Sequence, residues 1–196
     1  NTLYETLFDS TVHSDPDAGG LINYSYLSGE NITKIQEGRP LFVRTPNSKM
    51  NLANFFLTQL YAAFAPLKIG MDILLNEEHV QTDVMVAQGG LFGTPVIGQQ
   101  VLANALNIPI TIMNTASEGG PWGMAVLAKY AETYGKESLA DYLDEKVFKN
   151  PESMTLTPES AGVKGYESFI TRYQAGLPVE ALAGDDIKER EEKGSK

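Results

Sequence analysis

The chain contains no cysteine, so disulfides, thiolate metal sites and thiol nucleophiles are all excluded. Histidine is nearly as scarce. His13 and His79 stand alone beside acids and turns, without metal-ligand spacing, and both read as surface residues rather than zinc ligands. Cations are in short supply: 15 Lys and Arg against 25 Asp and Glu give a net charge of −10, which argues against nucleic acid or an anionic membrane as a partner. No apolar run approaches the roughly 20 residues of a membrane span, and Asn1 opens no signal-peptide pattern. The G-x-x-x-x-G-K-[ST] pattern of a P-loop is missing as well. No Ser/His/Asp ordering or paired-carboxylate motif stands out; Asp72 and Asp83 read as caps or solvated charges.

What remains is 196 residues, 42% hydrophobic and 20% charged, enough for one domain with an ordinary core. Its organising stretch is residues 84–130. Val84–Ala87 is a short apolar run, the pattern of a strand buried on both faces. Gln88-Gly89-Gly90 follows, where residues without Cβ let the backbone turn sharply and let a ligand approach. Val96–Leu106 has helical spacing, with Asn107 suited to a left-handed stop and Pro109 just beyond. Ile110–Asn114 reads as a second strand. Ser117-Glu118-Gly119-Gly120 turns the chain, and Pro121 fits the first position of a helix reaching about Tyr134. Gly123 and Ala125 keep that helix small, as if something packs very close to it. Trp122 reads as core or cleft wall.

Around this stretch, Leu3, Leu7 and Phe8 share a helical face, and residues 15–20 form a turn cluster. Gly20–Glu30 leans towards strand, as does Arg39–Arg44. Leu52, Phe56, Leu60, Phe64, Leu67, Met71 and Leu74 make one apolar stripe along a long helix, with Pro66 expected to kink it. Ser138–Phe148 is amphipathic, and residues 150–157 read as loop. Thr157-Pro158 looks like the cap and first turn of a last helix running to Gly176. Residues 180–196 read as a charged tail.

Taken in order, the Gly-Gly pair after a strand, the helix ending VLANALNIPI, and SEGGPWGMAVLA resemble the C-terminal lobe of the FGGY carbohydrate kinases, members of the actin-like ATPase superfamily. GLINYSYLSGE resembles that family's "GL…PYLSGE" segment, with Ser25 where proline is usual. The resemblance spans roughly Leu3 to Leu177. It implies an α/β fold, a partial ribonuclease H-like domain, helix-rich with a small sheet. Residues 1–178 would be the lobe without its first strands, and 179–196 the tail. It also implies ATP and Mg²⁺ as cofactors, with adenosine lying against Gly89 and Gly90. Thr94 would sit near adenine or ribose, although a loop one residue longer than in glycerol-kinase-like members leaves Pro95 as the other occupant of that position. In the family the aspartate general base belongs to the N-terminal lobe, and a Gly-Thr-Gly phosphate loop opens the C-terminal one. Neither pattern is in this sequence, so no catalytic residue is assigned and this stretch by itself is expected to be inactive. The chain begins without Met inside a helix, as a fragment would.

The whole protein is accordingly expected to be a cytoplasmic kinase for a pentulose, of the xylulokinase or ribulokinase sort, with the exposed apolar surface of a lone lobe favouring homo-oligomers. Two other classes stay open at this point. One is a non-catalytic binding or interaction domain of the same fold. The other is a nicotinamide-dependent oxidoreductase domain, although Gly89–Gly93 is not G-x-G-x-x-G and no acid ends the strand Ile110–Asn114 to hold a ribose.

Overall fold

A computed structural model describes residues 2–93, 96–149 and 152–188, and their contacts divide the chain into two units where the composition suggested one domain. The first comprises Asn1–Gln81, Asn104–Leu106 and Glu159–Lys196; the second comprises Thr82–Ala103 and Asn107–Pro158.

In the first unit, helix α1 (Thr2–Asp9) leads to strands β1 (Ile22–Tyr24) and β2 (Leu41–Val43), which pair antiparallel with Ile22 opposite Val43. Helix α2 (Leu52–Asp72) starts where the Asn51 side chain accepts the Asn54 N–H, satisfying one of the donors a helix start leaves free. Its buried face is Leu57, Leu60, Tyr61, Phe64 and Ala65. The expected stripe therefore holds at Leu60 and Phe64 and fails at Leu52, Leu67 and Leu74, which are exposed. Pro66 lies inside α2 without ending it, and the helix passes into a π turn, Ile73–Glu77.

Helix α6 (Ser160–Asp186) supplies the other half of this core. Tyr61 packs edge-on against Tyr166 and Phe169, with ring centres 4.8 and 5.1 Å apart, and such pairs add roughly 1 kcal/mol each beyond their buried area. The hydroxyls find partners: Tyr166 donates to the Tyr61 carbonyl at 3.1 Å and Tyr61 to the Pro16 carbonyl at 2.8 Å. Two expectations fail on this helix. It begins at Ser160, with the Glu159 N–H held by Asn104 Oδ1 at 2.8 Å, rather than at Thr157-Pro158. It also runs past Gly176 and through Pro178 to Asp186, because Gly176 is where the Tyr24 hydroxyl lies against the helix, leaving no room for a Cβ.

In the second unit, β3 (Met85–Ala87) runs parallel to β4 (Ile110–Met113), joined by α3 (Ile97–Leu106). Asn107 ends α3 in the left-handed conformation, φ 55° and ψ 39°, as its sequence position suggested. Strand β5 (Ser153–Leu156) pairs antiparallel with β4, giving the order β3-β4-β5; the segment had been expected to be loop. Among the described strands β3 is therefore an edge. Val84 and Val86 are exposed at 49% and 54%, not buried on both faces. Helix α4 (Gly119–Ala131) begins two residues before Pro121. The amphipathic segment that follows is a short helix, α5 (Leu139–Tyr142), and a π turn, Leu143–Val147.

Candidate functional site

The second unit brings its glycine turns to the carboxyl ends of β3 and β4, where open α/β sheets bind ligands. Gly89 has φ +133°, a conformation L side chains rarely adopt, so the turn after β3 requires glycine there. Its N–H donates to the Ala116 carbonyl at 2.8 Å and fixes the turn to the 3-10 turn, Ala116–Glu118, that follows β4. Gly90 differs. Its φ is not in the left-handed range, and a Cβ added to it would meet no atom within 4 Å. Nothing described in the chain explains why position 90 lacks a side chain. Thr94, with Pro95, lies outside the described residues.

Helix α4 starts against this turn. Gly119 rests on the Gln88 side chain so closely that a Cβ would collide with its amide oxygen. Gly120 and Gly123 face open space, so the close neighbour expected for this helix is not among the described residues. Trp122 is half-buried and packs on Phe148, with ring centres 5.7 Å apart.

Between α3 and the β4–β5 edge lies a cleft of about 400 Å³, lined by Phe92, Val96, Gln99, Asn114, Ser117 and Met154 among others. Gln99 braces it. The fully buried amide nitrogen donates to the carbonyls of Ile110, at 2.7 Å, and Met154, at 2.9 Å, tying helix to both strands. That arrangement requires the Nε2 atom to point at the carbonyls, and Oε1 has no hydrogen-bond partner among the described residues. The wall from β5, Glu152 to Met154, was missed in the sequence. The period-two alternation Ser153-Met154-Thr155-Leu156 was the available signal.

The remaining candidates behave as surface groups. His13 and His79 are exposed, Asp83 is exposed, and Asp72 pairs with Lys68 at 2.6 Å one helical turn away. Among the described residues no three His, Asp or Glu side chains come together as a metal site. No helix described is long and apolar enough to cross a membrane.

Among the described residues the fold is a helix-rich α/β arrangement with two small sheets. The family model "FGGY family of carbohydrate kinases, C-terminal domain" matches residues 2–132, and the chain belongs to that family. Solved structures agree in fold. A xylulose kinase from Rhodospirillum rubrum superposes with a TM-score of 0.61 at 15% identity, over 90% of this chain and 34% of its own. A gluconate kinase from Lactobacillus acidophilus gives 0.70 at 18%, over 93% and 35%; a ligand-bound xylulose kinase from the same organism gives 0.70 at 18%, over 93% and 36%. The chain thus spans about a third of the length of these kinases. No curated protein matches the sequence.

Proposed function

We propose that this chain is the nucleotide-side domain of an ATP-dependent sugar kinase, and that the Gly89-Gly90 turn receives the adenosine end of ATP. The observation that carries the reading is Gly90, a glycine that neither its backbone angle nor its neighbours among the described residues require. A ligand lying flat on the backbone would require it. Thr94 or Pro95 completes the adenosine contact in this reading. The open backbone at Gly90 supports room for the nucleoside, and with no metal cluster among the described residues Mg²⁺ is assigned in this reading to the phosphates of ATP.

The sugar is assigned to the pentuloses and their polyhydroxylated relatives, supported by xylulose and gluconate kinases among the structural neighbours. The reaction is phosphoryl transfer to a sugar hydroxyl in the cytoplasm, with the general base on a lobe outside this sequence. A nicotinamide reading has less support, because Asn114 stands after β4 where an acid would hold a ribose. Calorimetric titration of the chain and its Gly90→Leu variant with Mg·ATP, using NAD as control, tests the proposal.

A further inference from the structure

In the first unit Glu180 is completely buried. It lies on the face of α6 where Gly176, Glu180 and Gly184 follow at four-residue intervals. The Tyr24 hydroxyl presses on Gly176 and the Glu37 carbonyl on Gly184, neither leaving room for a Cβ. Between these contacts Glu180 Oε1 accepts the backbone N–H of Arg39 at 2.7 Å, while Oε2 has no hydrogen-bond partner among the described residues. The Arg39 side chain clips the same strap to the helix end. Its Nε donates to the Ile187 carbonyl at 2.6 Å, and its guanidinium also reaches the Gly38 carbonyl at 2.7 Å and the Glu37 carboxylate at 2.5 Å.

We propose that Glu180 is a proton-operated clasp: with its carboxyl neutral, the strap of residues 37–39 lies closed on the end of α6, and ionisation loosens it. An ion sealed from water costs far more than a neutral acid, and one carboxylate oxygen here accepts no hydrogen bond from the described residues. The charged and titratable groups that act on Glu180 are Arg39 from the strap, which itself holds the Glu37 carboxylate, Tyr24 from β1 and Tyr26 just beyond it, both of which bond to Tyr173 of α6. Tyr24 donates to the Tyr173 carbonyl and Tyr173 to the Tyr26 hydroxyl. Burial pushes the Glu180 carboxyl above the ordinary glutamate value, opposed in part by the Arg39 N–H and charge. A group whose pKa is raised by folding contributes stability that is fully present below its unfolded value and lost as pH rises through the folded one. The clasp therefore opens towards higher pH.

The test is hydrogen exchange at the Arg39 amide in the whole chain, compared with Glu180→Gln, which keeps an acceptor and stays neutral. The expected result is a wild-type protection factor that falls by up to about tenfold per pH unit between the ordinary glutamate value and the raised value of the closed state, and levels off above it, against a flat profile in the variant. Equal, flat profiles would overturn the proposal. So would stronger wild-type protection at high pH, the sign of an ionised acid holding the N–H more tightly. Should the variant not fold, carbon-13 titration of the wild-type Glu180 carboxyl decides alone: a midpoint at or below the ordinary glutamate value overturns it.

Discussion

Gly165 on α6 lies directly on the carbonyl oxygen of Pro16, so close that no Cβ fits between them. This contact sets α6 against the turn before β1, and it explains one glycine in the middle of a helix. Gly123 on α4 has no such reason among the described residues. The same substitution should therefore have opposite signs. Gly165→Ala overpacks backbone and is expected to destabilise by about 3 kcal/mol. Gly123→Ala removes a helix-interior glycine into open space and should stabilise by about 1 kcal/mol. Urea unfolding of both variants checks the pair; a destabilised Gly123→Ala would mean that α4 packs against something closely.

Asn54 is fully buried and joins three segments. It accepts the Asp15 N–H at 2.8 Å and donates to the Asp15 carboxylate and to the Lys49 carbonyl, both at 2.9 Å. Replacing it with alanine leaves buried partners without bonds and should cost about 2–3 kcal/mol. Asp15 also accepts from Lys49 Nζ at 2.8 Å. The Lys49 and Asn54 hydrogen bonds hold its carboxyl below the usual carboxylate range. A lowered pKa contributes stability that is present above the unfolded aspartate value and lost as pH falls through the folded one. Asp15→Asn should remove that acid-side loss, read as a urea midpoint that changes less with pH below about 4; an unchanged acid profile would contradict it.

What could be read from the sequence was set by local pattern. Asn107 announced its left-handed stop, and the apolar residues of α2 announced a long helix, because both depend on a few neighbouring residues. The glycine pair at positions 89 and 90 was visible for the same reason. Failures fell where the deciding partner is distant. Glu180 looked like part of a charged tail, since nothing local shows that the Arg39 N–H, 141 residues away, will seal it. Strand β5 is four residues long in a sequence flanked by Pro151 and Pro158, too short to outweigh them, and its identity rests on pairing with β4. Val84 and Val86 looked buried because apolar runs do not reveal which strands lie alongside.

The exposed β3 edge, with Val84 and Val86, and the exposed Met124 and Leu127 of α4 leave apolar surface on the second unit. Unpaired edges and apolar faces favour association. Light scattering should show an apparent mass that rises with concentration, and Val86→Lys should lower it. A strictly monomeric wild type at high concentration would count against this.

The central claim is that adenosine lies on the Gly89-Gly90 turn, and Gly90→Leu is its most direct test. A Cβ there meets no atom of the described residues within 4 Å, so thermal unfolding of the variant should match the wild type. Calorimetric titration with Mg·ATP should then show weak binding to the wild type, none to the variant, and none of NAD to either. Equal ATP binding by both proteins would contradict the account.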